Sequence, residues 1–227
     1  MRRIMGQKNE KTEGRRDVSS RNTKWAHKVA VWLTKRNVTP NSISVMSVIF
    51  SAIGGSLLLL AAFEAGLSLY IAFSAYIVCI LGRLLCNLFD GMVAIEGGKK
   101  SDNGDLFNDI PDRFADVFLI VPAGYVAGTG NIAGGAIELA WLAALLAVMT
   151  AYVRWLGAYV KQTHCFNGPM AKQHRMALLI VASVIAMVLV PFGWSGYSFF
   201  IALMIMNIGL IVTLIRRIKF IAQAEKP

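Results

Sequence analysis

The chain of 227 residues is 56% hydrophobic and only 16% charged, with a mean hydropathy of +0.56. An average soluble domain is roughly 45–50% apolar; here the excess gathers in runs of about 20 residues, the length that crosses a bilayer as a helix. A soluble domain, a disordered chain and a collagen-like chain are excluded, and the composition implies an integral membrane protein.

Lys and Arg number 23 against 13 Asp and Glu, a net charge of +10. Placement decides what that charge means. Basic residues crowd the segment from Arg2 to Arg36, ahead of the first apolar run, and Arg216, Arg217, Lys219 and Lys226 follow the last one. Such flanking charge reports topology and attraction to anionic membrane lipids. No stacking or base-reading motif accompanies it, so no nucleic-acid partner is expected. Cys79, Cys86 and Cys165 are too scattered for a disulfide framework or a zinc site.

In chain order, residues 1–20 are polar and charged and read as a disordered cytoplasmic tail. Residues 21–40 form an amphipathic helix and a turn. Trp25, Val29, Trp32 and Leu33 recur at helical spacing, while Lys24, Lys28, Lys35 and Arg36 take other faces. That pattern reads as a helix lying in the membrane interface, the alternative being a helix packed on the rest of the protein. Thr39-Pro40-Asn41-Ser42 marks a turn and a helix start. Residues 41–220 form one membrane domain of six spans, at about 42–63, 67–94, 111–128, 136–160, 174–192 and 197–217. The connections after spans one, three and five carry no Lys or Arg, whereas those after spans two and four carry Lys99, Lys100, Lys161 and Lys172. All loop cations then lie on one side, which places both termini in the cytoplasm. The expected fold class is all-α, six transmembrane helices with an N-terminal amphipathic interfacial helix.

More than half of the chain's acids bracket a single cytoplasmic loop, between Asp90 and Asp116. Asn87 and Asp90 are three apart, and Asn108, Asp112 and Asp116 are four apart, so each set lies along one helical face. Pro111 is a candidate break that would spoil the second spacing. With three glycines in the loop, the two helix ends can lie antiparallel and bring oxygen ligands together at the membrane boundary. Carboxylates and amide carbonyls are hard ligands, suited to Mg²⁺, Mn²⁺ or Ca²⁺, which in turn hold phosphate oxygens. Gly91 removes a side chain where a phosphate or ribose would approach. Arg113, Arg154, Lys172 and Arg175, with His174, lie at the cytoplasmic ends of spans three to five and are candidates to bind an acceptor phosphate. Positive-inside anchoring is the alternative for Lys172. Arg154 lies inside its span, where unpaired charge is expensive. Arg83 is similarly placed, either snorkelling or paired with an acid.

These residues resemble the CDP-alcohol phosphatidyltransferases, whose signature is D-x2-D-G-x2-A-R-x8-G-x3-D-x3-D. Asp90, Gly91, Ala94, Gly104 and Asp112 stand at the required positions, while Asn87 and Asn108 replace the first and third aspartates and Ile95 replaces the arginine. The resemblance implies a phospholipid-synthesis enzyme that transfers a phosphatidyl group from CDP-diacylglycerol to an alcohol, releases CMP and works as a homodimer. Carried over residue by residue, Asp90 is a metal ligand, Asp112 the general base, and Gly91, Ala94 and Gly104 part of the substrate site. Two divalent ions carry four positive charges, and Asp90 with Asp112 supplies two negative ones. Asn87 and Asn108 can coordinate only through amide oxygens. Asp109 or Asp116 restores part of the balance, or a single ion binds. A phosphorylated acceptor, glycerol phosphate or inositol phosphate, is favoured over a neutral alcohol. Three alternatives stay open: a phosphotransferase using CDP-choline or CDP-ethanolamine, a catalytically silent relative that binds nucleotide or lipid as a scaffold, and an ion-coupled transporter.

Overall fold

Apolar runs without internal breaks leave a chain in lipid one economical solution, helices that satisfy every backbone group internally. The computed structural model describes residues 23–63, 68–96, 104–129, 134–162 and 165–223; the expected disordered tail, 1–20, lies outside the described residues. Among the described residues there are seven α-helices and no strand: α1 (Lys24–Lys35), α2 (Pro40–Phe63), α3 (Leu69–Glu96), α4 (Gly104–Gly128), α5 (Ala136–Lys161), α6 (Lys172–Leu189) and α7 (Ser195–Gln223). Five of these, α2, α3, α5, α6 and α7, are long and apolar enough to cross a membrane, α6 together with the 3₁₀ turn that ends at Phe192. The chain is therefore an integral membrane protein. The third expected span corresponds to α4, which begins at Gly104 rather than 111 and carries Asp109, Asp112, Arg113 and Asp116 in its first half. Those charges set it apart from the other five.

Helix α1 presents Ala26 and Ala30 to α3 and leaves Trp25 and Trp32 about half exposed. Trp25 meets Phe89 of α3 edge-on, with ring centroids 5.9 Å apart. The helix is thus packed on the bundle through Ala26, Ala30 and one edge of Trp25, with Trp32 on its outer side.

The main core lies among α2, α3, α4, α5, α6 and α7. Leu58, Phe73, Tyr76, Ile80, Leu119 and Phe199 are fully buried in it. Helices in lipid gain little from hydrophobic burial against each other and associate through close packing of small residues and interhelical hydrogen bonds. Both devices are present. Helix α5 buries Ala136, Ala140, Ala143, Ala144, Ala147 and Ala151, and Gly124 of α4 sits where a side chain would strike Ala140. The Tyr76 hydroxyl donates to the Leu119 carbonyl at 2.6 Å, Asn207 Nδ2 to the Leu139 carbonyl at 2.9 Å, and the Ser198 hydroxyl to the Ala182 carbonyl at 3.0 Å. Each ties two helices at a point where hydrocarbon offers no other partner.

The approach of α2 to α4 is set by Gly55. A β-carbon there would meet the Phe118 carbonyl oxygen, a backbone atom that cannot turn aside. Gly55→Ala should therefore lose about 1–3 kcal/mol, the usual cost of overpacking, and lower the thermal midpoint in detergent. Gly128→Ala, with nothing within 4 Å of the added carbon, should leave the midpoint unchanged or raise it. Equal midpoints for the two variants would refute this account of the α2–α4 contact.

Candidate functional site

Of the acids between Asp90 and Asp116, Asp90 belongs to the end of α3, and Asp109, Asp112 and Asp116 to the first half of α4; Asp102 lies outside the described residues. Helix α4 runs unbroken through Pro111, so Asp109, Asp112, Arg113 and Asp116 keep their three- and four-residue spacing on one side. Opposite them stand cations from three other helices: Arg83 of α3, Arg154 of α5, and Lys172 and Arg175 from the first turn of α6. Cations at a helix N-terminus oppose its dipole. The α4 carboxylates offset that cost for Lys172 and Arg175.

Asp116 is fully buried between two guanidiniums, 2.7 Å from Arg83 Nη2 and 2.6 Å from Arg175 Nη2. Asp112, also buried, lies 2.6 Å from Lys172 Nζ through Oδ2, 3.6 Å from Arg83 through Oδ1, and 3.9 Å from Arg113. Its Oδ1 accepts no hydrogen bond. Asp90 is 5% exposed; it accepts from the Ser44 hydroxyl of α2 at 3.1 Å and from the Gly91 amide at 2.5 Å. Asp112 and Lys172 are both within Coulombic reach of Asp90. One turn before Asp90, Asn87 turns its amide nitrogen to the Arg83 carbonyl at 3.0 Å, since only the NH₂ end can donate there.

A second, more open group surrounds Asp109. It pairs with Arg154 and, at 3.3 Å, with Arg113, and it accepts the Trp155 indole N–H at 2.6 Å. The Arg154 guanidinium also lies 5.7 Å from the Phe166 ring centroid. Nearby, Arg217 of α7 is 7% exposed and donates to the carbonyls of Thr150 and Asn167.

Of the residues named from sequence, Asp112, Lys172, Asp116 and Arg175 come together in the inner group, Asp109, Arg113 and Arg154 in the outer one, and Asp90 with Gly91 is buried against Ser44. Ala94 is half-buried one turn beyond Asp90. Gly104 and Asn108 belong to the first turns of α4, outside the residues whose side chains are described. The carboxylates of Asp109 and Asp116, named as candidate ligands, are both engaged by arginines. Among the described residues no three acids, histidines or cysteines converge as a metal-holding group. Arg83, read from the sequence as snorkelling or paired with an acid, pairs with Asp116 and Asp112; Ser44, Trp155 and Arg217 had no place in the sequence reading of the site. An arginine in an apolar run was the available signal for Arg83; Ser44 offers none, because only the packing of α2 on α3 gives it a partner.

No family model matches the chain, and no curated protein sequence does. Solved structures do. The chain is similar to Mycobacterium tuberculosis phosphatidylinositol phosphate synthase (PgsA1) with CDP-DAG bound, at 12% identity and a TM-score of 0.73, over 89% of this chain and 96% of that one. The same synthase in complex with manganese and citrate gives a TM-score of 0.68 at 12% identity, over 88% and 90% of the two chains. Its apo form gives 0.65 at 13% identity, over 87% and 96%. At such identities the likeness is one of fold.

The inner cluster yields a stability prediction. Removing one partner of a buried ion pair strands the other and costs about 3–5 kcal/mol. Asp116→Asn should thus lower the thermal midpoint in detergent markedly, and adding Arg175→Met should recover part of the loss by removing a stranded cation. A midpoint unchanged by Asp116→Asn would show that the cluster does not hold the helices together.

Proposed function

We propose that the protein is an integral membrane phosphatidyltransferase, transferring the phosphatidyl group of CDP-diacylglycerol to an alcohol with release of CMP. The observation that carries this reading is the burial of Asp90 and Asp112, from separate helices, within a bundle whose fold is similar to that of a synthase solved with CDP-DAG. In this reading α4 is a sixth span, its charge offset by ion pairs. Both termini and the cluster face the cytoplasm, α1 lies at the membrane surface, and the working unit is a homodimer. An apolar cavity of about 420 Å³ between α1, α2 and α3, walled by Val29, Leu33, Met46 and Phe50, also touches Ile43 and Phe89. These are the chain neighbours of Ser44 and Asp90, so an acyl chain in the cavity would leave its head group beside the cluster.

The chemistry asked of the residues is limited. The acceptor oxygen forms a bond to the phosphorus of the phosphatidyl group while the bond to CMP breaks, and CMP leaves with that electron pair. Asp112 takes the acceptor's proton, and its buried Oδ1, which accepts no hydrogen bond, is the oxygen available for it or for a cation. Asp90, held by Ser44 and the Gly91 amide, has a fixed orientation, which is what positioning the diphosphate requires. A divalent cation, Mg or Mn, suits these hard oxygens; with Asp90, Asp112 and the Asn87 and Asn108 amide oxygens as donors it would neutralise the diphosphate and improve CMP as a leaving group. The outer group carries more positive than negative charge, Arg113 and Arg154 against Asp109. It is the place for the phosphate of a phosphorylated acceptor such as glycerol phosphate or inositol phosphate.

Purified protein supplied with CDP-diacylglycerol, Mg²⁺ or Mn²⁺ and a panel of acceptors should release CMP only with acceptor present. Asp112→Asn should reduce that rate by about 10²–10⁴, the usual worth of a general base, while CDP-lipid binding persists; full activity would remove Asp112 from the role. Nucleotide binding without CMP release, from either CDP-diacylglycerol or CDP-choline with diacylglycerol, would favour the silent scaffold. Arg154→Gln should raise KM for the phosphorylated acceptor at least tenfold and leave KM for CDP-diacylglycerol unchanged. Equal effects on both would place Arg154 outside the acceptor pocket.

A further inference from the structure

Building on the transferase reading and its acceptor site, we propose that Asp109 is a specificity-determining residue, a tethered competitor whose carboxylate fills the seat of the acceptor phosphate and yields it to a dianion. Three donors from two helices converge on this carboxylate. Arg154 and Arg113 both present Nη2 to Oδ1, the second at 3.3 Å, and the Trp155 indole N–H donates to Oδ2 at 2.6 Å. Two guanidiniums and a further N–H suit a phosphate group as well as they suit a carboxylate. Arg113 also lies 3.9 Å from Asp112 Oδ2, so an anion in place of the Asp109 carboxylate stands one guanidinium away from the proposed base. The side chains of Asp109, Arg113 and Arg154 are 19%, 20% and 23% exposed. An anion can reach them, and the carboxylate has room to turn away.

Both guanidiniums have anchors that do not depend on the carboxylate. Arg113 Nε donates to the Asp109 backbone carbonyl at 3.2 Å. The Arg154 guanidinium lies 5.7 Å from the Phe166 ring centroid and 5.9 Å from that of Trp155, within cation–π range of both. The donors therefore stay in place when Asp109 leaves. While it remains, a tethered group competes at an effective concentration of roughly millimolar order. A neutral alcohol has no charge with which to displace it, and a carboxylate ligand exchanges one negative charge for another. A phosphate monoester brings a charge of about −1.5 to −2 and three acceptor oxygens, which two guanidiniums favour. If Asp109 served only to tie α4 to α5, its removal would loosen Arg154 and weaken anion binding. The two roles thus predict changes of opposite sign.

Inorganic phosphate should be titrated by calorimetry into the purified full-length protein, with no nucleotide or CDP-lipid present. Asp109→Asn should bind phosphate about tenfold more tightly than the unaltered chain, whereas Asp109→Glu, which keeps a competing carboxylate, should stay within about threefold of it. Acetate should bind Asp109→Asn and not the unaltered chain. Adding Arg154→Gln to Asp109→Asn should abolish the gain in phosphate affinity. Phosphate affinity unchanged or weaker in Asp109→Asn would overturn the proposal, as would a gain that survives Arg154→Gln, or no phosphate binding by either chain. Should Asp109→Asn fail to fold, Asp109→Ser removes the same charge and is read in the same way. Turnover is not needed for this measurement, so the two readings fail separately. Tighter phosphate binding in Asp109→Asn, with no CMP released by the unaltered chain, refutes the transferase alone. Unchanged affinity beside an active unaltered chain refutes only the role of Asp109.

Discussion

The bundle depends on the pairing of α4's acids with cations from α3, α5 and α6. Asp109, Asp112 and Asp116 follow one another up a single helix, and each meets a guanidinium or ammonium from another. Left alone, any of these charges would be too costly to keep among apolar helices. Helix α4 packs against α2, α5 and α7, and the pairs add ties to α3 and α6 through long side chains. Arg83 is central to this, touching both Asp112 and Asp116 and donating toward the Met176 sulfur at 2.7 Å. A slip of α3 or α6 by one residue would separate Asp116 from Arg83 or Arg175.

The same pairing gives the site its character. A charged group whose charges balance and whose members hold one another in place is preorganised. The inner group is closed and balanced. The outer group is partly exposed and carries excess positive charge, and an anion can reach it. The charges are thus sorted by depth, with Asp116 deepest and Asp109 nearest the surface.

Close packing supplies what the charges do not. Alanines along α5, Gly124 against Ala140, and Gly55 against the Phe118 carbonyl bring backbones near enough for van der Waals contact to matter in lipid. Hydrogen bonds from Tyr76, Ser198 and Asn207 then pin individual pairs. The resulting scaffold holds the ends of α3, α4 and α6 as fixed points around Asp90 and Asp112.

The sequence by itself determined the membrane setting, the long helices and where the acids gather. Twenty-residue apolar runs have a single backbone solution in lipid, and a tight group of acids beside them is too costly to be incidental. Helical spacing placed Asp112 and Asp116 on one face, and α4 kept it despite Pro111. Small residues carried no comparable signal: Gly55 and the α5 alanines are ordinary in sequence and decisive only in contact. Tertiary structure alone decided the partners. Nothing in the order of residues states that Arg175 and Arg83 share Asp116, that Ser44 meets Asp90, or that Lys172 rather than Arg113 closes on Asp112. Those choices join residues 33 to 60 positions apart, and only the packing of whole helices, which sets distance and burial, makes one pairing cheaper than the rest.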